Sequence, residues 1–203
     1  DTIQVIVHPD IAGNSISEPA DTICAALLPD FLTLSGNPPS GGDGVNYLYQ
    51  WQIAGDQSGP WSDGPADNET SGYSPGTMNE TTWFRRLVYS GTDSACVSVS
   101  NELKLEVLDS LTNNLISDNQ TLCQFTTPVP LSGLTPQGGV SGVYNYGWEY
   151  RKDDTDWASA PGNPENLNYS PPIVDDTSFY FFRRLVYSGP DSTCVNTSNV
   201  VSL

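Results

Sequence analysis

The residues with the most definite chemistry are four cysteines, at positions 24, 96, 123 and 194. An even number points to two disulfides, and disulfides to an oxidising compartment. The rival chemistries lack their partners. A zinc site wants closely spaced cysteines and histidines, and a nucleophilic thiol wants an imidazole base, but the sole histidine is His8. A Ser-His-Asp or Cys-His site cannot be assembled within either of the repeat units described below. A glycosidase-type carboxylate pair is not excluded by number, since there are 24 acids. Few of those acids recur at matching places in the two copies, however, as a site carried by each copy would require. The glycine-rich stretches 36–44 and 133–142 contain no Lys or Arg and open no helix, so they read as hairpin loops and not as phosphate cradles. The expectation is a protein that is not an enzyme.

Charge narrows the partners. Seven Lys and Arg against 24 Asp and Glu give a net charge of −17, and such a polyanion repels phosphate backbones and anionic lipid. Nucleic acid is therefore not an expected partner, and neither is direct membrane insertion, because no stretch approaches the ~18 apolar residues of a membrane helix. The chain opens with neither a basic n-region nor a signal-peptide core, so an export signal would have been removed or would lie elsewhere. Calcium is the one ion these acids could hold, with Asp10, Asp109 and the turn Asp153, Asp154, Asp156 as candidates. Solvated surface acids that keep an exported protein soluble explain the same residues. No metal-binding or cofactor-binding residue is assigned.

Self-similarity organises the chain. Arg85-Arg86-Leu87-Val88-Tyr89-Ser90-Gly91 recurs unchanged as Arg183-Arg184-Leu185-Val186-Tyr187-Ser188-Gly189. Around that anchor Cys24 aligns with Cys123, Trp51 with Trp148, Trp61 with Trp157, Tyr73 with Tyr169, Cys96 with Cys194, and Ser100-Asn101 with Ser198-Asn199. Asp1 to Val7 align with Asn101 to Val107, the segment that closes the first copy. The expected division is 1–12 as the last strand of a preceding repeat, 13–109 as repeat one, and 110–203 as repeat two with its final strand truncated. That division makes the chain a piece of a longer array.

Each copy reads as short strands separated by Gly, Pro, Asn and Asp clusters, the pattern of an all-β sandwich. In copy one strands are expected at Phe31–Ser35, Tyr47–Ile53, Thr82–Tyr89 and Val97–Leu108, with weaker ones near Trp61 and Tyr73. Trp51 and Trp148 stand where an immunoglobulin-like sandwich buries its strand-C tryptophan; Trp61 and Trp157 are open between edge packing and exposure. The aligned copies require equivalent bridges, Cys24–Cys96 and Cys123–Cys194. Their spans of 72 and 71 residues would each remove roughly 4 kcal/mol of unfolded-chain entropy. Because successive side chains of a strand face opposite ways, one member of each pair Arg85/Arg86 and Arg183/Arg184 must face the core. Such a buried guanidinium needs a carboxylate, carbonyls or a ring face as partner.

The order Ile23-Cys24, Tyr49-Gln50-Trp51, Trp61, Gly72-Tyr73-Ser74-Pro75, Thr82-Trp83-Phe84-Arg85-Arg86, Cys96 and Ser100-Asn101 resembles the immunoglobulin-like repeats of large Bacteroidetes type IX-secreted surface proteins. Copy two repeats it, with Tyr146-Gly147-Trp148 in place of Tyr-Gln-Trp. The resemblance implies two tandem immunoglobulin-like sandwiches in an extracellular, cell-surface array of the gliding-motility adhesin or surface-filament type. Its partners would be neighbouring repeats, further copies through self-assembly, or surface glycans and proteins. It also implies O-glycans at Asp-Ser/Thr motifs, here Thr2, Thr22, Ser94, Ser110 and Ser192; local turns explain the same dipeptides. Three readings follow in order: a structural spacer or filament segment, a carbohydrate- or protein-binding module, and a hydrolase.

Overall fold

The computed structural model describes residues 3–25, 33–65, 67–117 and 119–203, and divides into two units, 1–107 and 108–203. Each is treated by itself.

In unit one the strands are β1 (Ile16–Ser17), β2 (Thr22–Cys24), β3 (Ser35–Gly36), β4 (Tyr47–Ala54), β5 (Ser62–Asp63), β6 (Thr82–Ser90), β7 (Cys96–Val99) and β8 (Leu103–Thr112). One sheet runs β2-β8-β6-β4-β5, with β7 also pairing β6, and β1 and β3 form a second pair, beside which Leu34 bridges Tyr73. Between them lie Ile16, Ile23, Leu34, Trp51, Tyr73, Phe84 and Leu105. Strand β6 holds this core in register because its pattern is strictly period-2: Phe84, Arg86, Val88 and Ser90 are buried, while Arg85, Leu87 and Tyr89 are only partly covered.

Unit two repeats the plan with β9 (Gln137–Gly139), β10 (Asn145–Lys152), β11 (Ala158–Ser159), β12 (Tyr180–Ser188), β13 (Cys194–Thr197) and β14 (Val201–Ser202). The order is β11-β10-β12-β13, with β14 on β12. Its core is Ile116, Leu131, Trp148, Ala160, Tyr169, Phe182 and Val201. Strand β8 ends in this unit, where Asp109 pairs with Gly139 and Thr112 with Gln137.

Several expectations need correction. The long strand Val97–Leu108 is two strands, because at the break side chains replace the ladder. Ser100 Oγ accepts the Arg86 N–H at 2.9 Å, and Asn101 accepts Ile16 N–H at 2.8 Å while donating to Ile16 O at 3.1 Å. Of Phe31–Ser35, positions 31 and 32 lie outside the described residues, and the strand observed is Ser35–Gly36. Near Tyr73 a single bridge replaces a strand.

The expected bridges are not formed. Cys24 and Cys194 are disulfide-bonded, and Cys96 and Cys123 carry free thiols. Within each unit the two cysteines stand at opposite poles. Cys96 pairs opposite Ser90 at one end of β6, whereas Thr82, at the other end, faces Leu105, and the next residue, Glu106, donates to Asp21 O. Eight residues of strand separate those levels by about 26 Å. Three residues of chain from Asp21 to Cys24 cannot close that gap to the ~7 Å limit between bridged Cα atoms. In unit two Cys194 faces Ser188, while Gln120, three residues before Cys123, bonds Ser202 beside Phe181. No disulfide internal to a module fits this geometry.

Candidate functional site: the paired-arginine strands and the module poles

Period-2 alternation sends Arg86 and Arg184 inward, and both are fully buried. Arg86 Nε donates to Asn14 Oδ1 at 3.1 Å, Nη1 to Ser71 O at 2.8 Å and Nη2 to Asn37 O at 2.8 Å. Arg184 does the same to Asn114 Oδ1 at 2.9 Å, Leu167 O at 2.9 Å and Leu134 O at 2.8 Å. Ring faces complete the cage: Tyr49 and Trp51 lie 5.1 and 5.8 Å from the Arg86 guanidinium carbon, and Tyr146 lies 5.4 Å from that of Arg184. Among the described residues neither arginine has a carboxylate partner within ion-pair distance. Burial pushes both guanidinium pKa values down from their usual range, yet a guanidinium still holds its proton there. The charge therefore acts as a rigid fork that ties three loop segments to the central strand.

Two residues that the sequence reading passed over build this cage. Asn14 accepts from Arg86 Nε and donates to Ser98 O at 3.0 Å; Asn114 accepts from Arg184 and donates to Asn196 O at 2.9 Å. Gly36 and Gly133 leave room for the guanidinium, since a Cβ on either would fall 1.7 Å from Nη1 of the neighbouring arginine. The signal that could have found them is recurrence of Asn two residues before Ile16 and Ile116, and of Gly at one place in both loops.

The outer arginines do a different job. Arg85 stacks 4.3 Å above Trp61 and donates from Nε to Gln52 at 2.9 Å. Arg183 stacks 4.2 Å above Trp157 and pairs with Glu149 at 2.7 Å. Trp61 is thus covered by the Arg85 guanidinium, and Trp157 by that of Arg183 with Arg151 a further 5.4 Å from its ring centre. Trp51 and Trp148 are buried, stack on Tyr73 and Tyr169 at 5.7 and 5.5 Å, and donate from the indole to Thr70 O and Asn166 O, both at 2.9 Å. Tyr73 and Tyr169 in turn donate to the carbonyls of Pro65 and Pro161, eight residues back. Burial pushes the Tyr169 phenol up to about 12.

The remaining candidates are dispersed. Thr2 lies outside the described residues. Thr22 is in β2 with its hydroxyl on Asp21. Ser94 and Ser192 are exposed on matching 3₁₀ turns with φ of 57° and 60°, so the Asp-Ser dipeptide marks the turn itself. Ser110 is exposed in β8. Asp153 accepts the Phe179 N–H at 2.9 Å, a turn-closing role. Among the described residues no three acidic, His or Cys side chains converge as a metal set. Each unit carries a surface cleft. One of about 320 Å³ is lined by Leu48, Tyr49, Gln50, Glu69, Tyr89 and Ser94. Another of about 300 Å³ lies among Tyr150, Pro161, Pro171, Ile173, Tyr180 and Phe182.

An antiparallel sheet, a buried tryptophan on the long strand that pairs the arginine strand and a stacked tyrosine tied to an upstream carbonyl define each unit as an immunoglobulin-like β-sandwich, present twice in tandem. The chain belongs to the family described as a domain of unknown function (DUF8696), which it matches at residues 12–109 and again at 112–203. No curated protein matches it. Among solved structures it is similar to domains A168–A170 of titin, at 14% identity and a TM-score of 0.48 over 97% of this chain; it spans 66% of the length of that one.

Proposed function

We propose that the chain is a structural segment of an extracellular cell-surface array, a stalk or filament piece of adhesin type. The observation that supports this reading most is what the two copies share. Identical parts are spent on an interior cage, Arg86 with Asn14 and Gly36, Arg184 with Asn114 and Gly133. A module selected to hold its own loops against strain is suited to bearing load or spacing. The secreted setting and the O-glycans at Thr2, Thr22, Ser94, Ser110 and Ser192 belong to the same reading. So does the absence of catalysis, in keeping with a fold that is not typically enzymatic.

Pulling the 203-residue chain between handles in a force spectrometer tests it. Two separate unfolding events at comparable force are expected, together with no retained ligand on a glycan array. The binding-module alternative has one observation of its own, the Tyr49/Tyr89 cleft with Glu69 at its wall. A glycan retained by the wild type and lost in Tyr89→Ala would establish binding in place of spacing. Intact-mass measurement of protein from its native source reads the glycans directly, and unmodified mass at all five hydroxyls would remove them.

A further inference from the structure

The chain's positive charge is sparse, and almost all of it is answered from within. Of seven basic residues, Lys104 pairs with Glu106, Lys152 with Asp176 and Arg183 with Glu149, while Arg86 and Arg184 sit in their carbonyl cages. Arg85 has Gln52 as acceptor for its Nε. That leaves Arg151. It stands on β10 opposite Phe181 of β12, one alternation along from Glu149 and so on the outer face of unit two's sheet. Its guanidinium carbon lies 4.7 Å from the centre of the Phe181 ring and 5.4 Å from that of Trp157. Its Nε is buried and has no hydrogen-bond partner among the described residues, and no carboxylate there lies within ion-pair distance. Acids are not lacking nearby: Asp153, Asp154 and Asp156 follow within five residues, but Asp153 is taken up by the Phe179 N–H. An unmet donor on a charged group is costly, and copy one avoids it, because the matching position, opposite Trp83, is the buried Ala54. Arg151 is an addition peculiar to copy two and no part of the frame that both modules share.

We infer that this face docks a protein segment in which one carboxylate is flanked by apolar side chains, the carboxylate taking Arg151 and the apolar groups resting on Trp157 and Phe181. The acceptor follows from the adjacent pair, where Arg183, on the same face and against the same indole, gives its Nε to the Glu149 carboxylate. A guanidinium backed by aromatic rings presents its donors at its edge, which suits the two oxygens of a carboxylate. Held by ring contacts, the side chain can turn its Nε edge towards the incoming oxygens. Arginine beside tryptophan and phenylalanine is also the composition of the energetic centres of protein interfaces. The net charge of −17 decides the class of partner. It repels a polymer that carries an anion on every unit, such as nucleic acid or a uronate or sulfated glycan. A lone carboxylate among apolar residues meets one local cation and little of that field. The contact gives a spacing segment a point of lateral attachment.

The test titrates the isotope-labelled full chain, followed by NMR, with the blocked peptide Gly-Leu-Glu-Phe-Gly and with its neutral counterpart Gly-Leu-Gln-Phe-Gly. Expected are saturable shifts of the Arg151 Nε–H and the Trp157 indole N–H, with Trp61 and the rest of unit one unmoved, since Ala54 offers no cation there. The neutral peptide should bind roughly tenfold or more weakly, as the loss of a hydrogen bond between charged groups implies. Arg151→Gln should abolish the preference for the acidic peptide, and Arg151→Lys, which keeps the charge without the fork, should retain part of it. The denaturant midpoint of unit two reads the fold of each variant. Equal affinity for the two peptides, shifts of the same size at Trp61, or no shift at millimolar peptide each overturn the inference. So does saturable binding of glucuronate in place of the peptide, which makes the ligand a sugar. A failure here leaves the unfolding events of the force measurement untouched, so the spacer reading falls only by its own test.

Discussion

The two copies share the cage around the inward arginine and differ at its rim. Inside, Arg86 and Arg184 make the same three hydrogen bonds to an asparagine and two loop carbonyls. At the rim, Arg85 meets a neutral Gln52 where Arg183 meets Glu149. Ser90 and Ser188 each accept a loop N–H, from Asp43 and Val140, but Ser90 donates to the Asp43 carboxylate and Ser188 to Val143 O. Buried polar groups admit few substitutes, because any loss leaves several partners unpaired in a dry site. Rim groups can exchange a protein partner for water. The cage is thus the part of the module that its neighbours over-determine.

The largest effect should come from breaking that cage. Arg86→Met strands the Asn14 and loop-carbonyl acceptors and is expected to cost about 3–5 kcal/mol. Arg86→Lys should recover little, since a point charge cannot reach three acceptors set around a planar fork. Denaturant melts followed by tryptophan fluorescence should show unit one shifting while unit two holds its midpoint. Equal midpoints for wild type and both variants would refute the cage. Gly133→Ala comes next, at roughly 2–3 kcal/mol confined to unit two, because its Cβ collides with Arg184 and with Leu167 O at 2.7 Å. An unchanged melt would mean that the loop gives way at no cost.

The rim pairs sharpen the contrast. Glu149→Gln converts the copy-two pair into the copy-one arrangement, and for a pair whose side chains are 28% exposed a loss of about 0.5–1 kcal/mol is expected. A loss as large as that of Arg86→Met would erase the distinction between interior and rim. The smallest effect is one of pH. The Val45 and Asn46 amides, then the Ser90 hydroxyl, hold the Asp43 carboxyl down at about 2 from its ordinary 3.8. A depressed carboxyl stabilises the fold above its unfolded value, and that contribution is lost as pH falls from about 4 towards 2. Asp43→Asn should therefore flatten the acid limb of unit one over that window and leave unit two, with Val140 at the matching loop, on its own curve. An acid limb unaltered by Asp43→Asn would show that the turn is held by its backbone alone.

Much of the architecture was legible because it depends on local periodicity. The recurring Arg-Arg-Leu-Val-Tyr-Ser-Gly strand set the repeat, and alternation along Leu103, Leu105 and Val107 set which face of β8 is wet. The same alternation required one arginine of each pair to turn inward, and the spacing of Trp51 and Trp148 marked the immunoglobulin-like core. The break at Ser100-Asn101 was not legible as a break, since both residues also suit a strand end. Only their bonds to Arg86 N–H and Ile16 show that side chains replace the ladder there.

What the sequence by itself determined is therefore the copy number, the strand periods and the demand for a partner on each inward arginine, all properties of residues close along the chain. What only the tertiary structure decided are three things that depend on separations across the sandwich. It chose Arg86 and Arg184 as the inward members, and it supplied Asn14, Asn114, Gly36 and Gly133 from segments 50 to 72 residues away. It placed the cysteines of each module at opposite ends of a nine-residue strand. Alignment of two copies says which cysteines are equivalent but carries no distance, and a strand about 26 Å long is a length that no disulfide can span.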